Sequence, residues 1–224
     1  MKLKKGDFVE IDYIAKDDAE RVFDLTKQDL AEKEGIFDER HHYHPVIICI
    51  GSKDWFEQIE NELEGKDVGS TITIDLSPEQ AFGRRDPKLM QLVATNKLLK
   101  NKIRPVPGLQ LNFEGSIGTI KSVSGGRTLV DFNHPLASRS VKYEITIHHV
   151  LEKTEEKVRA VLEMYIHQHG IDIKIENNIA VIHFHGAKEL ETRLKDKILA
   201  LIPEVKDVKF ESAPKEKTSE KSSP

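Results

Sequence analysis

The only Trp in this chain of 224 residues is followed at once by a Phe. Trp55 and Phe56 stand in the stretch "CIGSKDWFEQIENELEGKDVG" (Cys49–Gly69), where a short helix is predicted to begin. Taken alone, two large aromatic residues at such a place read as core. Other residues with chemical potential are few. Cys49 is the single Cys, inside an apolar run, and reads as a small buried hydrophobe rather than a nucleophile. No Ser, Cys or Lys stands in a convincing nucleophile–base arrangement. His41, His42 and His44 crowd one loop beside Asp38 and Glu39 and are the candidate metal ligands. Histidines so placed in a surface loop are more often solvated, and no metal site is assigned.

The composition limits which partners such residues could meet. Charged residues make up 32% and hydrophobic ones 38%, with a formal net charge of −4. An acidic balance, and basic clusters ("KLKK", "KEKTSEK") without interleaved aromatics, argue against nucleic acid and anionic membranes as partners. Residues 1–16 alternate polar and apolar and lack the apolar core of a signal peptide, and no apolar run approaches membrane-spanning length. A reducing, cytoplasmic setting with no disulfide is expected.

Periodicity then places the elements. "GDFVEIDYI" (6–14) and "STITIDLSP" (70–78) alternate as half-buried strands, and "PVIICI" (45–50) reads as a buried one. "LTKQDLAEKEG" reads as a surface helix capped by Thr26 and stopped at Gly35. Asp54 is the predicted cap of a helix over 55–64, with Glu57 completing a capping box and Gly65 as its stop. After Gly83 comes apolar sequence without a clean period, then "LQLNFEG", "IGTIKSVS", a Gly125-Gly126 turn and "RTLVDF", a strand-rich unit over 84–133. "SVKYEITIHHVLE" reads as a strand returning to the first sheet. Beyond a boundary near 152–154 the pattern is helix, two strands with Asn177-Asn178 at the turn, helix and strand, over 154–212. The first of these helices is expected to end at His167 and His169. The Lys/Glu/Ser/Pro-rich tail, 213–224, is predicted to be disordered.

The order "VFDL", "PVIICIG", "LEGKDVG", "SPEQAFG" and, after an insertion, "NHPLASRSVKYEI" resembles the FKBP-type peptidyl-prolyl cis-trans isomerases. More narrowly it resembles the long, archaeal SlyD-like group, whose flap carries an inserted domain after the "AFG" motif. The resemblance covers residues 1–150, and the segment after Thr154 looks like the C-terminal extension of long members. It implies an α+β fold: an FKBP-like antiparallel sheet wrapped on a short helix, a β-rich insert in the flap, and a C-terminal α-β-β-α-β unit. The expected domains are 1–83 with 134–152, 84–133, and 154–212.

The implied activity needs no covalent chemistry. Rotation about an X–Pro amide meets a barrier of about 18–20 kcal/mol, so uncatalysed exchange takes tens to hundreds of seconds. The planar amide is more charge-separated than the twisted one, so a dry apolar pocket favours the twisted state. By resemblance the pocket walls are Tyr13, Phe23, Val46, Trp55, Phe56, Ile59, Phe82 and Tyr143, with Asp24 as the polar group at the rim. The N–H of Phe56, at a helix start where such groups lack internal partners, would hold the substrate carbonyl. Val46, Ile59 and Phe82 depart from the usual residues: an aromatic, a Trp and a Tyr.

In SlyD-like proteins the insert binds unfolded chains. Here Leu89, Met90, Leu92, Val93, Leu98, Leu99, Ile103 and Val106 exceed what so small a unit would bury, and form the expected chain-binding surface. The implied function is isomerisation with chaperone holding of unfolded, proline-containing polypeptides, with no cofactor. A homodimer through the C-terminal unit is a further expectation. Two alternatives are a chaperone with a weakened isomerase pocket and a metal-binding protein using the loop histidines.

Overall fold

The computed structural model describes residues 1–113, 115–166 and 170–211. His167, His169 and the tail expected to be disordered lie outside them. In chain order the elements are β1 (Phe8–Asp17), β2 (Val22–Leu25), α1 (Gln28–Glu34), β3 (Val46–Cys49), α2 (Glu57–Leu63) and β4 (Thr71–Leu76). Then follow β5 (Met90–Ala94), α3 (Thr95–Lys100), β6 (Gln110–Phe113), β7 (Ser116–Ser124), β8 (Arg127–Asp131) and β9 (Val141–Val150). The last are α4 (Thr154–Ile166), β10 (Ile173–Glu176), β11 (Ile179–His183), α5 (Lys188–Leu201) and β12 (Asp207–Glu211). A five-stranded sheet runs β2-β1-β9-β4, with β3 also pairing with β1, so the returning strand β9 enters the first sheet as its alternation predicts. The architecture is mixed α+β with antiparallel sheets. The chain divides into two compact units, one of Met1–Ile14, Leu25–Ile74 and the chain from Glu144, the other of Ala15–Asp24 and Asp75–Tyr143.

In the first unit β3 lies antiparallel to β1, Phe8 opposite Cys49 and Ile11 opposite Val46. The C-terminal elements share this unit's core. Val158, Val161 and Leu162 of α4 recur at helical spacing and pack with Leu194 and Ile198 of α5, Ile173, Ala180, Ile182 and Val208 of the strands, and Phe8, Cys49 and Leu151. The sheet there runs β10-β11-β12, antiparallel between the first pair and parallel between the second. Helix α5 supplies the crossover that a parallel pair requires.

Both predicted helix caps in this unit are corrected. Helix α1 starts at Gln28 with Lys27 at its N-cap and no side-chain cap bond. Thr26 is buried one residue earlier: its Oγ1 accepts from Tyr13 N (3.0 Å) and donates to Asp12 (2.6 Å). Gly35 does stop the helix, in the left-handed conformation that favours Gly. Helix α2 spans seven residues rather than ten, with Phe56 at its N-cap and no side-chain cap bond. Asp54 makes its bonds elsewhere, and no Glu57 capping box forms.

In the second unit, a hairpin turn at 17–21 is closed by Asp17. Its carboxylate accepts from Ala19 N, Arg21 N, the Arg21 guanidinium (2.6 Å) and Arg139 (2.8 Å). The Arg21 hydrogen bond in particular holds the Asp17 carboxyl down to about 2. The stretch without a clean period resolves into a turn at Pro87–Leu89, then β5 and α3, and the insert's sheet runs β5-β8-β7-β6. Gly118 of β7 is required by packing: a Cβ there would lie 2.5 Å from Val130 Cγ1 and 2.8 Å from the Phe132 ring. The two strands of chain leading into and out of the insert are stapled. Asp86 N donates to Asn133 Oδ1 (2.8 Å), Asn133 Nδ2 donates to Asp86 O (3.1 Å), and buried Asp131 accepts from Arg85 (2.5 Å) and Asn133.

Candidate functional site

The residues assigned to the proline pocket fall on both units. In the first, buried Glu60 of α2 organises the loop that carries Trp55 and Phe56. Its carboxylate accepts backbone N–H bonds from Gly51 (2.8 Å), Lys53 (3.0 Å) and Trp55 (3.2 Å). Such a buried acid is tolerable because amide donors replace its lost water. Gly51 and Lys53 take positive φ as the loop coils about it. The Trp55 ring lies 5.4 Å from Tyr13 and 6.4 Å from Phe56, and all three side chains are half-buried. Ile59 is fully buried. Val46 and Tyr13 line a cavity of about 780 Å³ together with Thr26, Arg40, the loop histidines and Met164 of α4.

Behind Tyr13 the Thr26 bonds continue to buried Asp12, which also contacts His148 Nε2 at 2.9 Å. Burial works to raise the Asp12 carboxyl; the bonds from Thr26 and His148 outweigh it, and it stays below its ordinary range. The loop histidines make local contacts. His41 packs on the Tyr43 ring at 4.7 Å, His44 Nδ1 lies 2.8 Å from Pro45 O, and Asp38 pairs with Arg40. Among the described residues no group of three or more His, Cys, Asp or Glu is placed to hold a metal ion. Burial pushes the Cys49 thiol up to about 11, which keeps it protonated and unreactive.

In the second unit Phe23 meets Phe82 edge-on at 6.0 Å and Tyr143 edge-on at 6.3 Å. Tyr143 is buried, and burial together with the charge of half-buried Asp24 drives its phenol far above the usual value. The hydroxyl therefore stays a donor at any physiological pH. Sequence reasoning missed His134, whose ring stacks flat on Phe82 at 4.3 Å with 2° between planes. Its Nδ1 accepts from Leu136 N, and partial desolvation lowers its pKa. The signal lay in "NHPLA", read as a motif and not for the ring in it.

The insert residues separate by exposure. Leu98 is buried, while Met90, Val93 and Ile103 are half-buried. Leu89 (39%), Leu92 (62%), Leu99 (51%) and Val106 (47%) are exposed, as is Ile117 (65%), which sequence reasoning left out. Leu89, Val93, Leu98, Ile103, Phe113 and Phe132 border an open groove of about 750 Å³.

Comparison with known proteins bears on both parts. The model of the FKBP-type peptidyl-prolyl cis-trans isomerases matches residues 1–104, and that described as FKBP26, IF domain, matches residues 91–136. The chain is 29% identical over 148 residues to a short-type peptidyl-prolyl cis-trans isomerase of Methanocaldococcus jannaschii, covering 66% of this chain and 94% of that one. It is 30% identical over 112 residues to the FKBP-type 16 kDa peptidyl-prolyl cis-trans isomerase of Escherichia coli, covering 48% of this chain and 75% of the other. Identity to the SlyD isomerase of Aeromonas hydrophila is 29% over 162 residues, 70% of this chain and 69% of that one. The chain belongs to the FKBP-type peptidyl-prolyl cis-trans isomerases. Among the described residues no helix is long and apolar enough to cross a membrane.

Proposed function

We propose that the protein accelerates proline-limited folding by joining isomerisation to the holding of unfolded chains in its insert. The pocket residues of this reading are Tyr13, Phe23, Asp24, Val46, Trp55, Phe56, Ile59, Phe82 and Tyr143. Aromatic walls strip water from the amide and favour its twisted, less charge-separated state. The N–H of Phe56, ahead of the first turn of α2, is the proposed donor to the carbonyl before the proline.

The observation that carries the chaperone half is the exposed apolar surface of the insert. Leu92 and Ile117 on the sheet, Leu99 on α3, and Leu89 and Val106 in the connecting segments lie open to solvent. Scattered, exposed apolar contacts suit a loose and sequence-tolerant hold, and a tethered hold raises the concentration of a client's prolines near the pocket. The test is refolding of a protein limited by proline isomerisation with catalytic amounts of this one, beside the rate on a short proline tetrapeptide. Acceleration of both is expected; refolding no faster than the tetrapeptide rate accounts for sinks the tethered mechanism. A homodimer through the C-terminal sheet is part of the same reading, because β10 and β12 each pair on one side only among the described residues.

A further inference from the structure

The C-terminal helices reach the loop that carries Trp55 and Phe56. Asp54, immediately before Trp55, accepts from the Tyr165 hydroxyl of α4 (2.7 Å) and from Lys197 Nζ of α5 (2.6 Å). Lys197 also sits 5.5 Å above the Tyr165 ring, so the three side chains close on one another. The Asp54 side chain is 26% exposed and that of Lys197 35%, which shields the pair better than the open surface ion pairs of this chain. Burial works to raise the Asp54 carboxyl, yet the bonds from Lys197 and Tyr165 leave it below its ordinary value. Asp54 is thereby withdrawn from the helix cap its spacing suggests.

The same loop is also held by Glu60, through Gly51, Lys53 and Trp55 N–H. Five residues, 51–55, are thus fixed between a carboxylate inside α2 and a Lys–Tyr pair from the C-terminal helices. Helix α4 contributes a second contact with the site. Ala160, Glu163 and Met164 form one wall of the cavity whose other walls include Tyr13 and Val46.

We propose that the C-terminal unit is a working part of the isomerase site, in which Asp54, Tyr165 and Lys197 are positioning residues that set Trp55 and Phe56 for substrate. The inference rests on the pocket reading above and goes beyond it. A loop held from one side only samples more conformers, and each misplaced conformer weakens binding before it slows the rotation itself.

The test uses the full chain with Lys197→Met, Tyr165→Phe and Lys197→Arg. With a proline tetrapeptide, Lys197→Met is expected to raise KM by roughly three- to tenfold while kcat stays within about twofold. Tyr165→Phe is expected to do the same more weakly, and Lys197→Arg to restore most of the loss. Trp55 emission of the free protein should shift in Lys197→Met and return in Lys197→Arg, with far-UV circular dichroism unchanged in each. Wild-type KM and wild-type emission in Lys197→Met would overturn the proposal, as would a loss matched by unfolding that Lys197→Arg does not reverse. If the wild-type chain fails to isomerise the tetrapeptide, the pocket reading falls, and the emission of Trp55 still decides whether the brace exists.

Discussion

Two small sheets in this chain begin from similar sequence and end differently. The C-terminal strands β10, β11 and β12 alternate, and their apolar side is covered by α4 and α5, two helices of 13 and 14 residues. Ile173, Ala180, Ile182 and Val208 are consequently all buried. Among the described residues the insert's β5, β8, β7 and β6 have only α3, six residues long; Ile120 and Val130 of the sheet are buried, and Leu98 is the one buried side chain of α3. Leu92, Leu99 and Ile117 stay open. What separates a covered sheet from a more open one here is the length of helix available to cover it. Apolar content alone does not distinguish them.

The largest expected effect comes from removing the less covered sheet. Replacing residues 84–133 by a short flap should leave the tetrapeptide rate within a fewfold of wild type while refolding acceleration falls by roughly 10²-fold, the scale of a lost tether. Aggregation suppression should fall with it; a deletion variant that still refolds clients at the wild-type rate would make the insert mere scaffolding. Next in size is the covered sheet. Ile182→Ala should cost about 2–5 kcal/mol of stability by denaturant titration, because the cavity it leaves in a packed core cannot collapse.

Leu92→Ser in the insert should sharpen the contrast, changing stability by less than about 0.5 kcal/mol while weakening aggregation suppression. An Ile182-like loss of stability at Leu92 would show that the surface is core after all. In the pocket, Phe56→Ala and Asp24→Ala should each lower kcat/KM on the tetrapeptide by roughly tenfold with circular dichroism unchanged. Equal activity of both variants would remove the site assignment.

Smaller effects follow from Asp17. Its folded-state pKa, near 2, lies below the ordinary value of 3.8, so its contribution is present above pH 4 and is lost as pH falls through 2. Asp17→Asn should therefore lower Tm at pH 7, with the gap from wild type closing towards pH 2; a constant gap would mean that charge is not the cause. The smallest effect expected is on assembly. Light scattering should give twice the chain mass for the full protein, and a single chain mass would exclude the C-terminal dimer.

Much of the fold was legible because strand alternation and helical spacing are local. The alternating strands at 6–14 and 70–78 and the pattern after Thr154 needed only periods of two and 3.6 to be read. Ordered motifs, "LEG..VG", "AFG" and "NHPLA", carried the family. The stretch 84–107 gave no period because its turn, strand and helix are each too short to show one.

What tertiary structure decided was where ambivalent polar side chains go. Thr26 and Asp54 have the type and spacing of helix caps, a bond worth about 1 kcal/mol. Each found a stronger partner out of local reach: Asp12 for Thr26, and Tyr165 and Lys197, more than a hundred residues on, for Asp54. Glu60 looked like one more acidic residue of a surface helix and is instead the buried acceptor of three amides. A buried bond to the Asp12 carboxylate outweighs a neutral Thr cap, and for Asp54 a Lys ammonium with a Tyr hydroxyl outweighs backbone N–H groups; only the folded chain brings these partners within reach.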